Sequence, residues 1–144
     1  MTFAFIAYGD PAPQGSSRGF VIPAKDGRKA RAIITSDNPR TKGWRQTVAE
    51  SAMAARPRGF ALMTGPLEVA ALFYMPRPKY LQGNEKPFVR RPDLDKLLRS
   101  VFDALTGVAW GDDDQVIRVT AEKRYAEAGG GLARAEIIVR SAEL

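Results

Sequence analysis

Six aspartates lie within a 22-residue stretch of an otherwise basic chain. They are Asp93, Asp95, Asp103, Asp112, Asp113 and Asp114. Only Lys96 and Arg99 offset them, so residues 93–114 carry a charge of −4, and the rest of a chain whose total is +6 must sum to +10. Grouped carboxylates repel one another unless a cation neutralises them, and Mg²⁺ prefers oxygen ligands. Acids that hold an ion, beside bases that hold phosphates, indicate a metal-dependent phosphodiesterase.

The composition removes most other chemistries. The chain has no cysteine and no histidine, which excludes disulfides, a thiol nucleophile, thiolate-bound zinc and the commonest general base. Catalysis must therefore use carboxylates, hydroxyls, amines, guanidinium groups or a metal bound through oxygen. The 144 residues predict one domain, 1–144. Without a membrane-length apolar run or a secretory signal, we expect a soluble cytoplasmic protein with no membrane partner.

The aspartates surround a predicted helix over residues 94–106. Apolar residues at helical spacing give it one broad apolar face: Leu94, Leu97, Leu98, Val101, Phe102 and Leu105. Asp93 is the predicted N-cap and Gly107 the predicted stop. Asp95, Arg99 and Asp103 follow one another at intervals of four residues, which places them along one polar flank.

Each acidic feature has a plain structural alternative. Asp93 can be an N-cap and nothing more, and Asp95 with Arg99 can be an ordinary surface ion pair. Residues 112–114 can be a solvated turn, because aspartate is favoured there. Whether the turn folds back toward Asp93 depends on the strand that follows.

The other segments predict an α+β fold, with two main helices packed on a small mixed or antiparallel sheet. Residues 2–8 predict a strand that is buried on both faces, and residues 67–75 alternate as a half-buried strand. Short strands at 20–22 and 32–34 flank a basic tip. A helix is predicted from Pro39 to about Arg56, with Asp37 or Asn38 as N-cap and an apolar stripe of Trp44, Val48, Ala52 and Ala55. Residues 115–123, with Ile117, Val119 and Ala121 inward, and residues 133–140 predict an antiparallel hairpin.

The ordered motifs resemble those of one known family. The run R-P-D-L-D-K-L, at 91–97, is followed by F-D-A-L-T-G at 102–107 and by D-D-x-Q-V at 112–116. This pattern resembles the RusA family of Holliday junction resolvases, which are encoded largely by phages and prophages. The opening 9–16 and the region from Ser36 to Arg45 also resemble the phage branch.

The resemblance implies a site. It assigns Mg²⁺ binding, with Mn²⁺ as an alternative ion, to Asp93, Asp95 and Asp113, with Asp112 as the neighbour of Asp113. Arg99 occupies a position where the family commonly has an assisting lysine, so it keeps the charge without the compact ammonium. Lys96 replaces a frequent asparagine, Lys123 lies at a basic position, and we expect both lysines to contact DNA.

The resemblance also implies a homodimer that cuts four-way DNA junctions symmetrically. The basic residues before the acidic motif are candidates for binding the phosphate backbone: Arg77, Lys79, Lys86, Arg90 and Arg91. Two other functions remain open at this point. One is a branched-DNA-binding protein that no longer cuts, which the arginine at position 99 favours, and the other is a broader flap or single-strand nuclease.

Overall fold

In the computed structural model, the described residues are 1–15, 18–25, 27, 29–35, 39–78, 89–127 and 131–144. They form strands and helices in the following order: β1 (Thr2–Tyr8), β2 (Arg18–Ile22), β3 (Arg31–Thr35), α1 (Pro39–Ala55), β4 (Leu67–Met75), α2 (Leu94–Leu105), β5 (Val116–Tyr125) and β6 (Arg134–Ser141). A short 3₁₀ turn, Asp113–Gln115, precedes β5. The predicted bounds of β1, β4 and both helices are correct to within one residue.

The main sheet has four strands in the order β1-β6-β4-β5. β6 is antiparallel to both of its neighbours, whereas β4 and β5 are parallel. The two helices pack against this mixed sheet, so the predicted α+β fold is confirmed. The parallel pair positions the acidic residues, because the chain passes from β4 to β5 through α2, which carries Asp95 and Asp103.

Alternating side chains of the central strands form the core between sheet and helices. Every second residue of β4 from Leu67 to Met75 is buried, as are Ala135, Ile137 and Val139 of β6. The apolar face of α2 packs onto them, with Leu97, Val101 and Leu105 fully buried. The predicted alternation of β4 and the apolar face of α2 are therefore confirmed, with Leu94, Leu98 and Phe102 half-buried against the core.

The predicted β5–β6 hairpin is wrong. β6 lies between β1 and β4, and β5 pairs with the opposite edge of β4. The chain from residue 126 to 133 therefore has to cross the end of β4. Alternation reveals that two segments are strands, but it does not reveal which strands are neighbours.

Two burial predictions for the edge strands are also wrong. β1 buries only one face, and Ile6 on the other face is 44% exposed. On β5, Ile117 and Val119 are exposed, although Val119 pairs with the buried Val69 and so lies on the same face of the sheet. Ile117 falls at a register irregularity, where Val116 pairs with Leu67 and Arg118 with the next residue, Glu68. An edge strand has a neighbouring strand on one side only, so a side chain near the open edge stays accessible even on the face that the helices cover elsewhere.

The helices agree with the predicted pattern except at one position. Trp44, Val48 and Ala52 of α1 are buried, but Ala55 is exposed. The buried stripe instead begins at Thr41, one turn before Trp44. The predicted N-cap residues of α1 lie outside the described residues. α2 ends at Leu105, and Gly107 follows with φ +85°, a conformation that favours glycine. Among the described residues, no helix is long and apolar enough to cross a membrane.

Candidate functional site

The N-terminal acidic pair, Asp93 and Asp95, lies where the chain enters α2. Asp93 occupies the predicted N-cap position with φ −69° and ψ 142°, but its carboxylate makes no capping hydrogen bond. Instead Asp93 Oδ2 lies 3.5 Å from Lys96 Nζ, and 56% of the Asp93 side chain is exposed. Asp95 is exposed in the first turn of α2. Helix capping therefore does not account for the Asp93 side chain, which remains open to a ligand.

Lys123 hydrogen-bonds the backbone that leads into this acidic pair. Its Nζ donates to the carbonyl oxygen of Arg90 at 2.9 Å and to that of Pro92 at 3.1 Å. Lys123 lies near the carboxyl end of β5, so these bonds join the strand to the backbone just before Asp93. One structural task of the ammonium is therefore to position the start of α2.

The acidic turn, residues 112–114, lies between α2 and β5. The Asp112 carboxylate accepts a hydrogen bond from the Asp114 amide at 3.0 Å and caps the 3₁₀ turn. Gln115 Oε1 accepts from the amides of Gly111 and Asp112, both at 3.1 Å. Gln115 Nε2 donates to the carbonyls of Met63 and Gly65 at 3.0 and 3.1 Å. The Gln115 side chain thus clamps the turn to the segment before β4.

Asp113 is the carboxyl of this turn with the most unfavourable surroundings. Its pKa is raised above the usual 3.8, first by partial desolvation and then by a side-chain hydrogen bond with Asp112. The negative charges of Asp112, Asp103 and Asp114 raise that pKa further. Asp112 is used locally as a cap, whereas the ionised form of Asp113 is opposed by its neighbours. A bound cation would relieve that opposition.

A polar network fixes Asp103 beside the acidic turn. Gln14 Nε2 donates to Asp103 Oδ2, and Arg45 Nη1 donates to Gln14 Oε1 at 2.8 Å. Arg45 Nη1 is also 3.9 Å from Asp103 Oδ2. The predicted polar flank of α2 is confirmed, because Asp95, Arg99 and Asp103 are all exposed. This flank connects the two acidic groups.

Within one chain, the acidic turn and the N-terminal acidic pair lie at opposite ends of α2. Asp93 precedes the helix, and Asp113 lies near Asp103 in its last turns. A 12-residue helix is about 18 Å long, far more than one ion can bridge. Accordingly, no three acidic side chains of the described residues are grouped closely enough to bind a metal ion. In the single chain, Asp93 and Asp95 lie at the start of α2 and Asp113 lies near its end.

The predicted DNA-binding residues have different surroundings. Arg77 is partly buried, where Nε donates to the Ala126 carbonyl at 3.1 Å and the guanidinium lies 5.2 Å from the Tyr125 ring centroid. Arg90 and Arg91 are exposed just before the N-terminal acidic pair. Lys79 and Lys86 lie outside the described residues. DNA contact by any of these residues stays a prediction.

Sequence reasoning missed the roles of two glutamines. In the sequence, Gln115 stands out only as one position of the D-D-x-Q-V pattern, and Gln14 only as part of the segment 9–16. Gln115 three residues after Asp112 fits a capping box, a spacing that could have revealed its local role. No comparable local signal exists for Gln14, whose partners are 31 and 89 residues away.

The fold and the site define an α+β protein whose exposed acidic groups flank one helix, with exposed basic residues beside one of them. The family model described as Endodeoxyribonuclease RusA matches residues 13–140. The chain therefore belongs to the RusA endodeoxyribonuclease family. It is also similar to a curated protein of Bacillus subtilis (strain 168), named uncharacterized protein YqaN. The two are 30% identical over 146 residues, which cover 94% of each chain.

Proposed function

We propose that this protein is a Mg²⁺-dependent endodeoxyribonuclease that resolves four-way DNA junctions by hydrolysing phosphodiester bonds. The proposal rests on the surroundings of Asp93 and Asp95, the two carboxylates of the D-L-D motif. Asp93 and Asp95 are exposed, and Asp93 makes no capping bond although it occupies the capping position. Together with family membership, this favours a ligand-binding role over a structural one. We place the activity in the cytoplasm of a bacterial or phage-infected cell.

The donors fit a hard divalent cation. Carboxylate oxygens are the ligands that Mg²⁺ and Mn²⁺ take, and the raised pKa of Asp113 marks negative charge that a cation would stabilise. In our proposal Asp93, Asp95 and Asp113 hold the ion. When bound, such an ion lowers the pKa of a coordinated water and stabilises charge on the phosphoryl oxygens.

The remaining residues bind and orient the DNA in this proposal. Arg99 lies one turn beyond Asp95, where its guanidinium can contact the scissile phosphate through two parallel hydrogen bonds. Arg90 and Arg91 lie on the chain that leads into α2, and we assign them to the phosphates on that side. Lys96 is held near Asp93, where it can limit repulsion within the acidic pair before the ion binds.

The separation of the acidic groups suggests how a homodimer would work. Because the groups lie at opposite ends of α2, two chains related by a two-fold axis with antiparallel α2 helices would place each pair beside its partner's acidic turn. Each of two sites would then draw Asp93 and Asp95 from one subunit and Asp113 from the other. Two equivalent sites also match the symmetric cuts that resolution requires.

Two single variants test the chemistry. Asp93→Asn and Asp113→Asn should each reduce cleavage of a synthetic four-way junction with Mg²⁺ by at least about 100-fold. Binding measured in EDTA should be retained or improved, because a repelling charge near the phosphates is removed. As a matched control, Asp10→Asn changes an exposed aspartate distant in sequence from the motifs. Wild-type cleavage by either site variant would refute the proposal.

Mixing the same two variants tests the shared site. A mixed dimer would have one site with both lesions and one intact site, so random exchange should restore about one quarter of the wild-type sites. Those dimers should nick one strand without resolving the junction. If each site lay within one chain, every site in the mixture would carry a lesion and no activity would return.

The arginine at position 99 is the observation that favours a non-cutting alternative. Magnesium-dependent nicking of a junction, abolished by EDTA, would exclude that alternative. Cleavage rates on junction, flap and plain duplex substrates would separate a resolvase from a broader flap or single-strand nuclease.

A further inference from the structure

The hairpin arm, residues 18–35, is built apart from the main sheet. In the part of the chain that the structure describes, β2 and β3 pair with each other and with no strand of the four-stranded sheet. Two five-residue strands extend about 17 Å, before the tip is counted. The arm is therefore a two-stranded ribbon that can contact a ligand away from the acidic groups.

The arm carries most of the protein's net positive charge. Its charged residues are Arg18, Lys25, Asp26, Arg28, Lys29 and Arg31. Five bases against one acid give +4, compared with +6 for the whole chain. The tip residues Lys25 and Lys29 are exposed, and Gly27 between them has φ +76°, which suits a tight turn.

Hydrogen bonds fix the segment that precedes the arm to the two helices. The strap, residues 11–15, leads from β1 toward β2. In it, the Ala12 carbonyl accepts from the buried Ser100 Oγ at 2.8 Å, and the Pro13 carbonyl accepts from Thr41 Oγ1 at 2.6 Å. The Gln14 amide donates to the Lys96 carbonyl at 3.0 Å. The strap thus runs beside α2, and α1 begins four residues after β3 ends.

We propose that the hairpin arm binds the phosphate backbone of the DNA while the acidic groups of α2 act on the scissile phosphate. A two-stranded ribbon fits the width of a DNA groove, and exposed lysines bind phosphates through charge. The arm begins three residues after the strap, which is hydrogen-bonded to α2, so one junction can contact both surfaces. This inference rests on the proposed DNA substrate and adds a binding surface to it.

The test neutralises the arm tip and measures junction binding in EDTA. The double variant Lys25→Gln/Lys29→Gln should weaken binding about tenfold and lower the slope of log K against log salt by about 1 to 2, as expected for two lost phosphate contacts. Cleavage at saturating junction should stay within about twofold of wild type, because neither residue contacts the reacting phosphate. Lys25→Arg/Lys29→Arg should restore both binding and slope.

A matched control removes two charges on exposed arginines remote from the arm in sequence, Arg58→Gln/Arg140→Gln. It should leave the salt slope within about 0.5 of wild type, because a slope change reports phosphate contacts. An unchanged slope and affinity in the arm variant would overturn the inference. If the arm variant lost only its binding to vesicles that contain phosphatidylserine, the arm would be assigned to a membrane surface and the inference would also be overturned. If wild-type protein neither binds nor cuts a junction, the proposed function fails as well.

Discussion

The two ends of α2 carry acidic groups that are stabilised in different ways. At the start, Asp93 and Asp95 face the positive end of the helix dipole and have Lys96 beside them. At the other end, Asp113 lies among Asp103, Asp112 and Asp114, and its pKa is raised. The start of the helix favours carboxylates, whereas its end does not.

The two ends of α2 are also held in place by different side chains. At the start, Lys123 holds the backbone before the N-terminal acidic pair through the carbonyls of Arg90 and Pro92, and the helix start itself attracts negative charge. At the other end, the Gln115 side chain holds the acidic turn through four hydrogen bonds, of which it accepts two and donates two. Geometry that electrostatics opposes has to be fixed by other contacts, and here a neutral amide supplies them.

Removing that clamp should have the largest effect. Gln115→Ala would leave the Met63 and Gly65 carbonyls and two turn amides without their partner, which should cost about 1–3 kcal/mol of unfolding free energy. If the acidic turn shifts by about 1 Å, cleavage should fall about 100-fold, although Gln115 touches no reacting group. Chemical denaturation and single-turnover cleavage measure the two effects.

Two further variants sharpen this result. Gln115→Glu keeps one acceptor oxygen but sets a second carboxylate oxygen against the Met63 and Gly65 carbonyls and adds negative charge to the acidic turn, so its losses should be at least as large as those of Gln115→Ala. Gln46→Ala removes an α1 glutamine whose side-chain amide donates to the exposed Glu50 carboxylate, and it should leave both measurements unchanged. Wild-type cleavage by Gln115→Ala would show that the turn does not need its clamp.

Neutralising one acid at each end should change stability in opposite directions. Asp93→Asn removes a charge that the helix start favours and should destabilise the protein by about 0.3–1 kcal/mol. Asp113→Asn removes a charge that its neighbours oppose, so the melting temperature should rise. Thermal melting without divalent ions at low salt measures both, and shifts of the same sign would break the comparison between the two ends.

The smallest effect is a difference in pH dependence. Because the pKa of Asp113 is raised above 3.8, its unfavourable contribution appears as pH rises from that value through the folded-state pKa, and Asp113→Asn should remove it. Glu127 behaves oppositely, since hydrogen bonds from Arg134 lower its pKa from 4.5 to about 2. Its favourable contribution is complete above 4.5 and is lost as pH falls toward 2.

Melting curves of wild type, Asp113→Asn and Glu127→Gln between pH 2 and 7 test this pair of signs. The Glu127→Gln curve should converge with wild type at the acid end and fall below it above pH 4.5. The Asp113→Asn curve should lie above wild type at neutral pH and approach it at acid pH. Parallel curves across the range would contradict both assignments.

The local elements could be predicted from the sequence because neighbouring residues determine them. The apolar face of α2 and the alternation of β4 were both sufficient to locate those elements correctly. Pairing could not be predicted, and the β5–β6 hairpin was wrong because β4 separates those strands. The exposure of Ile117 and Val119 has the same origin, since burial on an edge strand depends on which elements cover it.

The site divides in the same way. The sequence alone determined which carboxylates are candidates, because the absence of histidine and cysteine and the spacing of the aspartates are properties of the chain itself. Tertiary structure decided that α2 keeps Asp93 and Asp113 apart, that Gln115 and Gln14 hold the acids, and that capping does not use Asp93. These features depend on contacts between residues distant in sequence and on the direction in which a rigid helix leads away from its first turn.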